Sequence, residues 1–291
     1  MRIAITHISE YRYDGPAGSA VQALRLTPAP VKGQTLVSWK VEAPGIDSAC
    51  SYTDGFGNLV HLVSPPADST VVRIAATGVV ETTDTGGVSG WTGEAVAAGA
   101  FLRSTPMTTA DTAIEAMAEA VRSDDRLATL HALMDAVSEH VAYEPGSTHA
   151  QTTAAAAFEA KSGVCQDHAH IFIAASRFLR IPARYVTGYL LLEDGAEAPA
   201  HHAWAEAYVD DLGWVGFDAA NCLCPTDRYV RLGAGLDAAS AAPIRGVRRM
   251  TGEESLTVDV DVQAVGQGQS QSQSQSQSQS QSQSGGSQSQ Q

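Results

Sequence analysis

SGVCQDHAHIFIAASRFLRIPAR, residues 162–184, opens with a small residue and a glycine ahead of a cysteine and then runs apolar. Ile171, Phe172, Ile173, Ala175 and Leu179 make this a largely buried helix, and Pro182 requires it to stop beforehand. The period then changes to that of strands. Ala183 to Leu192, His201 to Val209 and Trp214 to Asp218 read as β, with Pro199 marking a loop. The turn Asp210-Asp211-Leu212-Gly213 joins the last two as a hairpin. Helices followed by antiparallel strands make this half of the chain α+β.

On the N-terminal side of the cysteine lie further helices. Leu127, Leu130, Leu133, Met134, Val137 and Val141 fall at helical spacing, with Asp124 and Asp125 at the start, where carboxylates complement the dipole. A shorter helix spans roughly Asp111 to Arg122, and residues 152–160 suggest another. Still earlier, residues 1–83 read as a small β-sandwich-like domain. Its strand candidates are Arg2 to Tyr13, Gln34 to Glu42, Leu59 to Val63 and Thr70 to Glu81, with a tight turn at Asp54, Gly55, Gly57 and Asn58. Residues 84–106 look like a linker, and 107–264 form the α+β core, closed by an alternating strand from Glu254 to Gln263. Residues 265–291 are almost entirely Gln, Ser and Gly. They cannot bury enough apolar surface to offset ordering entropy, so disorder is expected there.

A cysteine opening a helix meets free backbone N–H groups and the positive end of the dipole. Both favour a thiolate, and both can hold the oxyanion formed when it attacks a carbonyl. Cys165 therefore reads as a nucleophile. His202 lies 37 residues on and Asp218 a further 16. A hairpin brings these two together, and a carboxylate beside an imidazole fixes its tautomer and stabilises the imidazolium. Taken singly, each residue has a bland reading as a core cysteine, a structural histidine or a turn aspartate. Their order and contexts together favour chemistry.

Four ordered blocks, GVCQDHA, RIPARYVTGYL, HHAWAEAYV and GWVGFDAAN, resemble the core of the transglutaminase-like superfamily over roughly residues 150–225. Tyr11-Arg12-Tyr13, Leu24-Arg25-Leu26-Thr27-Pro28 and Asp54-Gly55-Phe56-Gly57-Asn58 resemble the β domain that precedes this core in bacterial members. The resemblance implies a papain-like fold and a catalytic set of Cys165, His202 and Asp218. Where members carry Pro-Thr-Asn after the aspartate, this chain has Ala219-Ala220-Asn221. The implied activity is cysteine-dependent acyl transfer on an amide, either a glutamine carboxamide or a peptide bond, resolved by an amine or by water. Hydrolysis alone, as in a cysteine protease or amidase, is one alternative; an inactive binding or scaffold module is another.

Other residues compete for roles. His201 rivals His202, but adjacent strand residues point to opposite faces, and the family pattern selects His202. Trp204 and Glu206 share the face of His202, Trp204 as a wall of the site or a core residue and Glu206 as an exposed or ion-paired carboxylate. Asp167 reads as a helix cap. Cys165, His168 and His170 give C-x-x-H-x-H, but without a second ligand pair, and Cys222-Leu223-Cys224 lacks the usual C-x-x-C spacing. No cofactor or metal is therefore expected.

The net charge of −14 gives no general attraction for nucleic acid or anionic membranes, so the expected partner is a protein or peptide carrying an amide group. No apolar run is long enough to span a bilayer, and the N-terminus lacks a signal-peptide apolar region. With only four cysteines, Cys50, Cys165, Cys222 and Cys224, a cytoplasmic location is the default expectation.

Overall fold

The computed structural model describes residues 1–92, 95–192, 201–249 and 253–266, together with the backbone of 276–281. The N-terminal region supplies β1 (Arg2–Tyr13), β2 (Ser19–Thr27), β3 (Gln34–Glu42), β4 (Cys50–Thr53), β5 (Leu59–Val63) and β6 (Val71–Thr82). On β1 the residues alternate, with Ile3, Ile5, His7 and Ser9 turned inward, so a polar pair continues an apolar face. After β6 come β7 (Val88–Gly90), α1 (Thr112–Ala120), α2 (Arg126–His140), β8 (Ala142–Tyr143), α3 (Ala154–Ala160), β9 (Ser162–Gly163) and α4 (Cys165–Phe178). The chain continues through β10 (Ala183–Leu190), β11 (His201–Val209), β12 (Gly213–Phe217), β13 (Tyr229–Gly235), α5 (Ala238–Ala241), β14 (Ile244–Arg249), β15 (Glu254–Ala264) and β16 (Ser276–Gln281).

Helix starts follow local chemistry. Asp111, Asp125 and Thr153 cap α1, α2 and α3 through side-chain oxygens that accept first-turn N–H groups. α4 ends at Phe178, four residues before Pro182. It packs on a sheet of order β13-β10-β11-β12-β7, with α1, α2 and α3 against its other sides. The core between helix and sheet gathers Ile171, Phe172, Ile173, Ala203, Ala205, Ala207 and Phe217. Among the described residues no helix is long and apolar enough to cross a membrane.

The N-terminal strands form two sheets, β16-β15-β1-β6-β3 and β14-β2-β5-β4. Thus β14 and β15, which follow the α+β half in sequence, return to pair with β2 and β1. The expected core boundary at residue 264 placed them by sequence proximity, whereas pairing is set by which edges lie open. The expected linker is also part of the fold, since β7 adds an edge strand to β12. β2 and β13 had drawn no strand assignment of their own; β13 contains two glycines, and alanine and glycine are poor strand formers. Of the expected tail, residues 267–275 and 282–291 lie outside the described residues, and the backbone of Ser276–Gln281 runs antiparallel to β15.

Candidate active site

Cys165 is the first residue of α4, and its surroundings are built by its neighbours. The Asp167 carboxylate accepts the Val164 N–H at 2.8 Å and the Thr148 hydroxyl at 2.6 Å. Gly163 must lack a side chain, since a Cβ there would meet the Asp167 carboxylate. Asp167 is thus the expected cap. Its burial pushes the carboxyl pKa up, against the pull of those hydrogen bonds. The Cys165 and Gln166 N–H groups precede the helix's own hydrogen-bond ladder and stay available to a ligand oxygen.

On β11, Ala203, Ala205 and Ala207 face α4, while His202, Trp204 and Glu206 occupy the other face. Trp204 seats the histidine. It stacks on the His202 ring at 6.4 Å between centroids and meets Tyr229 edge-on at 5.4 Å. The indole lies over Gly188 of β10, where a Cβ would approach it within 2.7 Å, and beside Gly216 of β12. The glycines of the YVTGYL and GWVGFD segments are therefore the floor on which Trp204 lies.

His202 Nε2 meets Asp218 Oδ2 at 2.6 Å, and the same imidazole lies within electrostatic reach of the Cys165 thiol. With Nε2 committed to the carboxylate, Nδ1 is the nitrogen left for the thiol. Burial disfavours the imidazolium, but the Cys165 and Asp218 charges and hydrogen bonds outweigh it, and the His202 pKa is pushed up to about 10.

Asp218 lies one residue past β12 and is fully buried. Its Oδ2 also accepts from Asn221 Nδ2 at 2.7 Å and from the Tyr229 hydroxyl at 2.7 Å, while Oδ1 accepts the Ala220 and Asn221 N–H groups at 3.1 and 3.3 Å. Burial alone would raise its pKa. The hydrogen bonds and the adjacent His202 reverse that and hold it below the usual carboxylate range. Asn221 and Tyr229 escaped the sequence reading as site residues. Asn221 had a signal, an amide three residues after the aspartate, whereas Tyr229 arrives only through the packing of β13.

The competing residues fall elsewhere. His201 is partly buried on the opposite side, with Nε2 3.0 Å from the Thr187 hydroxyl, and desolvation lowers its pKa to about 4. Glu206 is fully buried and accepts from Arg184 at 2.6 Å, Arg231 at 3.1 Å and Ser89 at 2.9 Å. Both nitrogens of His168 face carbonyl oxygens, of Val164 and Val141, and His170 Nε2 accepts the Ala238 N–H. The Cys222 thiol donates to Asp135, while Cys224 packs against the core. Among the described residues no cluster of His, Cys, Asp and Glu converges as a metal site requires. Tyr143, half-exposed on β8, sits within electrostatic reach of Cys165 and Asp218; burial first and then those two charges push its pKa up to about 12. A surface depression lined by Gly33, Thr35, Glu81, Thr83 and Thr85 contains none of these residues.

Two family models match this chain. Residues 115–219 match the transglutaminase-like superfamily core, and residues 3–81 match the bacterial transglutaminase-like N-terminal region. An uncharacterized protein of Mycobacterium leprae is 29% identical over 272 residues, spanning 88% of this chain and 96% of its own. One from Mycobacterium tuberculosis is 27% identical over 286 residues, spanning 88% and 90%. The crystal structure of a candidate cysteine protease from Cytophaga hutchinsonii superposes with a TM-score of 0.69, covering 93% of this chain and 92% of that one at 22% identity, a likeness of fold.

Proposed function

The chain belongs to the transglutaminase-like superfamily, and from that premise we propose that it is a cysteine-dependent enzyme acting on amide bonds through a Cys165 thioester. The observation that carries this reading is the single imidazole of His202, hydrogen-bonded to the buried Asp218 carboxylate and lying within electrostatic reach of Cys165 at the start of α4. In the proposed cycle the Cys165 sulfur attacks the carbonyl carbon of a glutamine carboxamide or peptide bond. The oxyanion is held by the N–H groups at the start of α4. His202 gives its proton to the departing nitrogen, which leaves as ammonia or an amine, and the thioester remains. An amine or a water then attacks the thioester carbon, His202 takes a proton from it, and the thiol is regenerated. Asp218 holds the imidazole in place and balances its charge throughout.

Two experiments test the reading. Brief iodoacetamide treatment followed by intact mass is expected to give fast single labelling, lost in Cys165→Ala and slowed in His202→Ala. Slow labelling shared evenly among the cysteines would sink the enzyme reading and favour a binding module. Incubating the protein with a glutamine peptide and a primary amine then separates the outcomes. Amine incorporation marks a transferase, and conversion to glutamate or chain cleavage marks a hydrolase.

A further inference from the structure

Two side-chain amides of the N-terminal region grip an edge strand of the α+β half. Among the described residues β13 pairs with β10 on one side only. On its other edge, Gln34 Oε1 accepts the Arg231 N–H at 2.7 Å while Gln34 Nε2 donates to the Arg231 carbonyl at 2.8 Å. Three residues along, Asn58 Oδ1 accepts the Ala234 N–H at 2.8 Å while Asn58 Nδ2 donates to the Ala234 carbonyl at 2.8 Å. Each amide thus imitates one residue of a missing neighbouring strand. Both are buried and anchored in turn: Gln34 also donates to the Ala29 carbonyl at 3.0 Å, and Asn58 to the Asp54 carboxylate at 3.0 Å, which Arg25 reaches at 3.1 Å.

What the grip holds is part of the candidate site. Along β13, Val230 and Leu232 enter the N-terminal core, while Tyr229 and Arg231 turn to the face of His202. Tyr229 donates to Asp218 Oδ2 at 2.7 Å, and the Arg231 guanidinium binds Glu206 at 3.1 Å on the strand that carries His202. From this we infer that Gln34 and Asn58 are positioning residues: the N-terminal region sets the height and register of β13, and β13 delivers the Tyr229 hydroxyl to Asp218. The inference rests on the reading of Cys165, His202 and Asp218 as the catalytic set. It gives the N-terminal region a part in the chemistry beyond covering the core.

The titratable groups around Asp218 are His202 and Tyr229, with Cys165 and Tyr143 close by. Removing the Tyr229 hydroxyl takes away one of the donors that keep the carboxylate ionised, so Asp218 takes up a proton at higher pH, His202 loses its counter-charge earlier as pH falls, and the acid limb of alkylation is expected to follow upward. The test is the pH profile of Cys165 alkylation by iodoacetamide, with melting temperature measured alongside, on the full chain. Tyr229→Phe is expected to slow alkylation at neutral pH about tenfold, the effect of losing one hydrogen bond to a charged group, and to shift the acid limb upward. Gln34→Ala and Asn58→Ala are expected to shift the same limb in the same direction, by less. Adding either change to Tyr229→Phe is expected to cost nothing further in rate, because both act through that hydroxyl. An unchanged limb in Gln34→Ala and Asn58→Ala beside a lowered melting temperature would reduce the clamp to a structural joint, and multiplying losses in the double variants would also overturn it. If Gln34→Ala does not fold, the cycle of Asn58→Ala with Tyr229→Phe decides alone. A wild-type thiol that ignores His202→Ala defeats the catalytic reading itself; an activated thiol indifferent to the clamp variants defeats only the clamp.

Discussion

β11 carries two adjacent histidines into two different kinds of burial. His202 turns toward Asp218, Cys165 and the glycine-floored Trp204, where every charge meets an opposite charge or a hydrogen bond. His201 turns the other way, toward His7, Tyr189 and Thr187, where partners are neutral: His7 Nδ1 lies 2.8 Å from the Tyr189 hydroxyl, and the His7 and His201 rings are 6.0 Å apart. His202 and His7 are buried and His201 partly so, yet the His202 pKa is pushed up to about 10, while desolvation lowers those of His201 and His7 to about 4 and about 3. Burial strips water from both imidazoles; whether a proton stays is decided by the charge that replaces the water.

The comparison breaks most visibly at its charged partner. Asp218→Asn keeps the shape of the site but removes the counter-charge, so His202 should lose its hold on the proton and come to resemble His201. Turnover, or the rate of Cys165 alkylation, is expected to fall about 10²–10⁴-fold, the usual worth of a positioned acid–base group. A smaller effect falls farther along the same face of β11. Glu206 is fully buried between Arg184 and Arg231, and the two guanidiniums hold its pKa down at about 2 despite the opposing cost of burial. Glu206→Gln leaves two buried cations without their carboxylate, and a loss of about 3–5 kcal/mol in urea unfolding at neutral pH is expected. A loss within the range of an ordinary surface change would mean that the cluster is wetter than its burial implies.

The smallest effect tests the neutral side. The folded-state pKa of His201 is depressed below its unfolded value near 6.5, so the unfolded chain takes up the proton first. Stability contributed by the neutral ring is therefore present above about pH 6.5 and drains away as pH falls toward 4. Substituting His201→Gln, which can still bond Thr187 and does not titrate, is expected to remove on the order of 3 kcal/mol of that acid loss. Urea midpoints of wild type and variant at pH 7 and pH 4.5 measure it, and parallel losses in both would place the acid sensitivity elsewhere, with His7 and His170 next in line.

How much of this was legible beforehand depended on the distance over which each signal acts. The capped helices, the α4 stop before Pro182 and the β11–β12 hairpin turn, with Asp211 and Gly213 at positive φ, are written within a few residues of themselves. The strand β15 was legible only as a strand, and β14 drew no strand assignment at all. The return of β14 and β15 to the first two sheets is a property of open edges far away in sequence. Glu206 was readable as a carboxylate on the face of His202, but its two arginines arrive from β10 and β13 and its serine from β7, in the segment read as a linker.

By itself, then, the sequence determined the order Cys165, His202, Asp218 and the local seats of each: a helix start, a strand beginning Ala-Trp after the histidine, and a Gly-Trp strand before the aspartate. These are short-range features, and a period or a cap is enough to encode them. The tertiary structure alone decided which histidine meets a carboxylate, that Tyr229 reaches Asp218, and that Gln34 and Asn58 hold β13 across separations of 197 and 176 residues. A hydrogen bond between groups so far apart leaves no periodicity in the chain. It exists only once two sheets have packed and their edges, charges and excluded water have settled together.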